Sequence, residues 1–206
     1  MFSPKKALYF LFVFLVLSQC KGASYEPAPN CGRLECPPYS VVQSGKEFEI
    51  RSYKDALWLS GPKVMSKSYT FASDKSFLVL LQLVRINRNQ NVKINMTAPA
   101  LVDVQNSTYQ VFFYLPQTFQ SGLPIPQPNS REIEKVTLPK HKYAAVKRFG
   151  GFITDFNIPK QIEALRKSLQ GTPYQRAAAI ENFTIAGYNS PFELINRVNE
   201  VIIWFD

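Results

Sequence analysis

The sequence predicts an α+β domain: a distorted, mostly antiparallel β-barrel or curved sheet built from two similar halves and flanked by two helices. Three observations point there. Short runs of alternating apolar and polar residues recur along the chain, separated by turn residues. Two segments carry helical periodicity instead. The order strand, strand, helix, strand, strand occurs twice, on either side of a proline-rich connection.

The chain opens with "MFSPKKALYFLFVFLVLSQCKGAS", in which Lys5 and Lys6 precede an apolar run from Ala7 to Leu17. That run is shorter than the roughly 20 residues a membrane span needs, so residues 1–22 read as a signal peptide. Cleavage after Gly22 or after Ser24 satisfies the preference for small residues at the cut. The expected destination is outside the cell, the wall space or the vacuole, with no stable membrane insertion. Loss of the leader removes Lys5, Lys6 and Lys21 from a formal net charge of +9. The remaining basic residues are scattered, without the stripe of a nucleic-acid binder, and support at most attraction to anionic small molecules or acidic polymer.

Residues 23–37 read as an irregular tail. Cys20 departs with the leader, leaving Cys31 and Cys36 in "NCGRLECPP" as an even pair expected to form a small disulfide loop in an oxidising compartment. Two cysteines and one distant histidine fall short of a metal site. The folded domain is then 38–206. Asn95, Asn106 and Asn182 head three Asn-x-Thr triplets and are candidate glycosylation sites.

In the first half, "YSVVQSG", "KEFEIRSY" and "DALWLSG" read as strands, a helix is expected from about Asp74 to Arg88 with Ser73 or Asp74 as cap, and "VKINMTAPALVDV" and "TYQVFFYLP" follow as strands. The segment "LPQTFQSGLPIPQPNS" should be irregular. The second half repeats the pattern with "REIEKVTLP", "KHKYAAVKRFGG", a helix from about Ile158 to Gln170, "AIENFTIAGY" and "NEVIIWF".

The two helices differ. The second has one apolar stripe, Ile158, Ile162, Leu165 and Leu169, and stops at Gly171, as suits a helix covering one sheet face. The first has Phe77, Leu80, Leu81 and Val84 on one stripe and Val79, Leu83 and Ile86 on another. The second stripe must meet more protein, a partner or an apolar ligand. In "KINMTAPA" the alternation places Ile94, Met96, Ala98 and Ala100 on one face. Met96 is then a pocket wall or a core filler, and Pro99 marks an edge or bulge.

"KINMTAPA" also resembles the Lys-Ile-x-Met-Thr-x-Pro-Val signature of the SOUL heme-binding proteins, with Ala100 at the last position. "YNSPFELINRVNEVIIWF" resembles that family's C-terminal block at Tyr188, Asn189, Pro191, Arg197, Asn199, Glu200 and Val201. "CPPYSVV", "FEIRSY", "FFYLP" and "RFGGF" fall in the family's order, and the leader with its Cys-Pro-Pro-Tyr start is similar to the secreted plant branch, termed heme-binding protein 2-like. The resemblance implies a distorted barrel of two halves and a heme or related tetrapyrrole in an apolar groove beside the first helix. On that implication Val79, Leu83, Ile86 and Met96 line the groove, and Arg85 and Arg88 are expected near the propionates, although this chain lacks the family's glycine in the loop after the helix.

Heme or metal-free porphyrin is thus the expected ligand, bound rather than used catalytically. His141, the sole histidine, is the weak candidate for an axial ligand, and its setting "PKHKY" reads more readily as a solvated strand residue. No catalytic residues are assigned: nucleophile and base pairs, paired carboxylates and glycine-rich phosphate loops do not stand out. The expectation is a secreted, non-enzymatic carrier, buffer or scavenger of tetrapyrrole. The alternatives are an interaction module accepting a peptide in the same groove and, behind it, an enzyme acting on the tetrapyrrole.

Overall fold

Alternation along the strands gives the sheet two different faces, and each becomes the floor of its own apolar layer. The computed structural model describes residues 25–86, 94–122 and 132–206; the proposed leader, 1–22, lies outside them. Strands β1 (Tyr39–Ser44), β2 (Glu49–Tyr53), β3 (Ala56–Ser60) and β4 (Val64–Met65) lead into helix α1 (Tyr69–Ile86). Then come β5 (Ala100–Gln105), β6 (Thr108–Tyr114) and the one-turn α2 (Gln117–Gln120). The second half supplies β7 (Glu134–Leu138), β8 (Tyr143–Gly150), α3 (Ile158–Leu169), β9 (Phe183–Gly187) and β10 (Val198–Phe205).

These strands form a single curled, antiparallel half-barrel in the order β1-β2-β8-β10-β9-β5-β6-β3-β7, with β4 attached to β6. The α+β class and the antiparallel sheet agree with the sequence. The duplicated architecture is present with a twist that strand prediction alone does not reveal. Outward from the β9–β5 seam, β10 and β6, then β8 and β3, then β2 and β7 occupy corresponding places. Each half therefore lodges an early strand in the other: β2 pairs with β8 and β7 with β3.

One face carries the helices. Val111 and Phe113 of β6, Ile185 of β9 and Val201 and Ile203 of β10 point there, against Leu80 of α1 and the four buried apolar residues of α3, Ile158, Ile162, Leu165 and Leu169. The α3 stripe is the one its sequence predicts, and Gly171 follows it with φ +69°. Helix α1 starts five residues before the expected Asp74. Ser68 Oγ accepts the N–H of Phe71 at 3.3 Å, and the Asp155 carboxylate accepts from the Tyr69 N–H and from Ser68 Oγ. A cap supplied from a loop 86 residues away leaves no local signature. Gly61 permits the close approach of α1, since a Cβ there would stand 2.6 Å from Ser76 Oγ.

The strand expected across "KINMTAPA" is also corrected: β5 begins only at Ala100, and Thr97 makes an isolated parallel bridge to Glu35. Pro99 has no N–H to give a ladder, so the residues before it leave the pleat and the inward and outward alternation lapses. Ile94 and Ala98 are buried as expected, whereas Met96 is 37% exposed.

The opposite face holds Trp58, Leu101, Phe112, Tyr114, Ala144, Val146, Ala186 and Ile202 and is covered by the N-terminal tail through Ala28, Leu34 and the Cys31–Cys36 disulfide. Toward β2 the same face becomes ionic. Arg51 is 0% exposed and meets Glu200, also 0% exposed, through two parallel bonds of 2.9 Å, while its Nε donates to Glu49 at 2.7 Å. Arg148 closes the box on Glu200 at 2.8 Å, and the Tyr188 hydroxyl donates to Glu200 at 2.8 Å. Burial alone would raise the Glu200 pKa, but Arg51 and Arg148 outweigh it and hold the carboxyl below its ordinary value.

Replacing Glu200 by Gln strands two guanidinium groups in this dry setting. The expected loss is about 3–5 kcal/mol, beside about 2–5 kcal/mol for Leu165→Ala in the helix layer. Equilibrium urea unfolding followed by circular dichroism measures both, and a Glu200→Gln loss under about 1 kcal/mol would contradict this account of the box.

Candidate functional site

Between the tail and the non-helical face lies a cavity of about 840 Å³. Its floor is made by outward positions of the strands: Ala56 and Trp58 of β3, Leu101 of β5, Tyr114 of β6, Ile202 and Trp204 of β10, with Tyr53 at the end of β2. Its wall is the tail, from Pro27 to Tyr39, including the disulfide, and Leu138 and Pro139 close one side. The volume lies in the upper part of the roughly 300–1,000 Å³ range of small-molecule sites.

The aromatic lining is held edge to face rather than stacked. Trp58 and Tyr114 have ring centroids 5.3 Å apart at 69°, and Tyr53 and Trp204 are 5.5 Å apart at 62°. Trp204 Nε1 donates to Thr184 Oγ1 at 2.8 Å. Trp58 Nε1, by contrast, is buried with no hydrogen-bond partner among the described residues, and the whole residue is 4% exposed. A buried donor without an acceptor is uncommon, and here it sits in a residue that lines a cavity. Lys54, Arg33 and Arg148 bring positive charge to the lining. Lys54 is exposed, Arg33 is bound to Glu193 at 2.8 Å, and Arg148 is held by Glu200.

The donors suited to iron are weak here. The lining includes neither His141 nor a methionine, and both its cysteines are oxidised to the disulfide. Four tyrosines contribute, Tyr39, Tyr53, Tyr114 and Tyr188, and burial raises the pKa of each, which disfavours the phenolate a metal would need. No group of three or more metal-binding side chains occurs among the described residues.

Of the residues singled out from the sequence, Cys31 and Cys36 line this cavity, whereas Val79, Leu83, Met96 and His141 do not. Leu83 is 5% exposed and joins the helix-side core, with Val79 partly buried against that core. Leu83 is thus covered by the protein itself and Val79 half-covered, and among the described residues of α1 the exposed large apolar side chains are Phe71 and Leu78. The side chains of Arg85 and Ile86, and all of Arg88, lie outside the described residues. His141 is exposed, with Nδ1 3.0 Å from the Asp206 carboxylate. Cys31 and Cys36 are bonded, as expected. Asn95, Asn106 and Asn182 are all exposed, Asn106 in the tight β5–β6 turn with φ +48°. The cavity residues Trp58, Tyr114 and Trp204 went unassigned. For Tyr114 and Trp204 the signal was the unbroken apolar runs "VFFYL" and "VIIWF", which mark strands buried on both faces.

The tail is fastened to the loop before β10. Asn30 Nδ2 donates to Tyr188 O at 2.6 Å and to Glu193 at 3.0 Å, and Arg33 reaches both Asn30 and Glu193. Hydrogen bonds from Asn30, Arg33 and Asn189 hold the Glu193 pKa down at about 2. A depressed carboxyl stabilises above its unfolded pKa, and that contribution disappears as pH falls through the folded value. Trp58 and Trp204 emission should therefore report a tail-loosening step between about pH 4.5 and 2 that Glu193→Gln lacks; identical acid profiles would contradict this anchor.

A sequence profile of the family described as SOUL heme-binding protein matches residues 34–204. Heme-binding protein 1 of Xenopus laevis is 28% identical over 173 residues, covering 79% of this chain and 85% of the frog protein. Heme-binding protein 2 of Mus musculus is 28% identical over 197 residues, 85% of this chain and 92% of the mouse protein. The human heme-binding protein 2 is 29% identical over 163 residues, 75% of this chain and 76% of its own. The matched span runs from the tail's disulfide loop through β10, and on it this chain belongs to the SOUL heme-binding protein family.

Proposed function

We propose that this chain is a secreted, non-enzymatic tetrapyrrole-binding protein that carries, buffers or scavenges heme or metal-free porphyrin, with the ligand in the cavity beneath the tail. Family membership supports the ligand class, and the single structural observation that carries the site is the 840 Å³ aromatic cavity with cationic side chains in its lining. A tetrapyrrole presents a broad apolar ring and carboxylates. Tryptophan, tyrosine, leucine and proline suit the ring, at roughly 25 cal/mol per Å² of apolar surface removed from water. Lys54 and Arg33 suit the carboxylates. The groove expected beside α1, formed by Val79, Leu83, Arg85, Ile86, Arg88 and Met96, is the competing location, and the burial of Leu83 together with the exposure of Met96 weighs against it.

Export is part of the same proposal. The leader-like start, the disulfide and three exposed Asn-x-Thr asparagines all suit an oxidising route with glycosylation. The wall space and the vacuole both fit.

Titration of hemin and of metal-free protoporphyrin into the purified protein should shift the Soret band and quench Trp58 and Trp204, with a Kd of order 1 μM. Because the lining offers iron only disfavoured donors, the two ligands should bind within about tenfold of each other, a gap of about 1.4 kcal/mol. A hemin preference well beyond that would place a protein ligand on the iron and overturn this reading of the lining. Absence of any saturable change with a folded protein would leave the interaction-module reading.

Location is tested separately. Ala56→Phe fills the cavity floor and should weaken porphyrin binding at least about tenfold, while Leu78→Asp on the exposed face of α1 should leave it unchanged. The reverse pattern would move the site beside the helix.

A further inference from the structure

Tyr25, the first described residue, is held at several points. Its backbone N–H donates to Glu49 Oε1. Its ring lies over the Arg148 guanidinium at 4.9 Å and near that of Arg51 at 5.9 Å, and the next carbonyl, Glu26 O, accepts from Arg148 Nη1. Glu49 is fully buried.

The charge box is asymmetric at this spot. Glu200 Oε1 accepts from both guanidinium groups, and Glu200 Oε2 accepts from Arg51 and Tyr188. Glu49 Oε2 accepts from Arg51. Glu49 Oε1 is the one carboxylate oxygen of these four whose partner among the described residues is an uncharged N–H, and that N–H belongs to Tyr25. Immediately before it, Gly22 and Ser24 stand third and first ahead of the Ser24–Tyr25 bond, the two places where a leader peptidase requires small side chains.

We propose that the leader is removed between Ser24 and Tyr25 and that the new α-ammonium group of Tyr25 forms a buried ion pair with Glu49. Water supplies the hydrolysis: the Ser24 carbonyl carbon gains a hydroxyl and becomes a carboxylate, the C–N bond breaks, and the Tyr25 nitrogen keeps the electron pair and is protonated at neutral pH. Processing thus converts the neutral donor on Glu49 Oε1 into a cation without moving it. The groups facing that nitrogen's neighbourhood are Glu49 and Arg51 of β2, Arg148 of β8, Glu200 of β10 and Tyr39 of β1, and both arginines are already engaged by Glu200. A cut after Gly22 would instead leave Ala23 and Ser24 attached to a half-buried amide.

The pH dependence follows. An α-amino group has an unfolded pKa of about 7.7–8.0, and a carboxylate partner raises it in the folded state. The added stability is therefore complete below about pH 7.5 and disappears as pH rises through the folded value toward about 10. A rise of about one pKa unit corresponds to about tenfold in the folding equilibrium.

Intact mass and N-terminal sequencing of the protein secreted by a eukaryotic host should identify Tyr25 as the first residue; any other start overturns the assignment. Protein beginning at Tyr25 should then be about tenfold more stable at pH 6 than protein retaining Ala23 and Ser24, with the two converging near pH 10. Glu49→Gln in both should abolish the difference. Should that variant fail to fold, acetylation of the Tyr25 amino group, which leaves Glu49 intact, should lower stability to that of the extended form. Equal stability of all forms across this pH range overturns the ion pair.

Discussion

The double bond between Arg51 and Glu200 is the constraint on which the architecture rests, because it joins the two halves where they have traded strands. Arg51 belongs to β2 of the first half and Glu200 to the final strand of the second, with β8 between them. Two charges in a dry interior are tolerated only when their hydrogen bonds are complete. Arg148, Glu49, Tyr188 and Tyr53 supply the remaining partners. A strand slipped by one residue would turn Arg51 onto the helix-side core, so the box also fixes register.

The sheet then separates two tasks. Beneath the helices aliphatic and aromatic side chains pack together, with Leu165, Leu169, Ile185 and Val201 fully buried. Beneath the tail it is aromatic and leaves a space. The tail does not merely cover this face: its disulfide and prolines are the outer wall, and Asn30 and Arg33 fasten it to the loop ahead of β10. The Thr97 bridge to Glu35 adds a second attachment, next to the motif that carries the family signature.

Much of this was legible in the sequence. The antiparallel class, the repeated element order, both long helices, the disulfide and the α3 stripe all followed from periodicity and spacing. The strand exchange was not, since pairing partners lie as far apart as Glu49 and Val146 and alternation records only which residues share a face. The α1 cap came from Asp155, far along the chain. Of the second stripe of α1, Leu83 is buried in the protein's own core and Val79 packs half-buried against it. The apolar runs of β6 and β10 already indicated burial on both faces, and following them would have led to Tyr114 and Trp204.

Alternation also means that one strand carries two interleaved texts. In β10, Val201 and Ile203 address the helix layer, while Ile202 and Trp204 address the cavity. Evolutionary drift at one set can reshape the cavity without disturbing the packing maintained by the other. A lineage of such proteins can thus vary one lining while inheriting an unchanged scaffold.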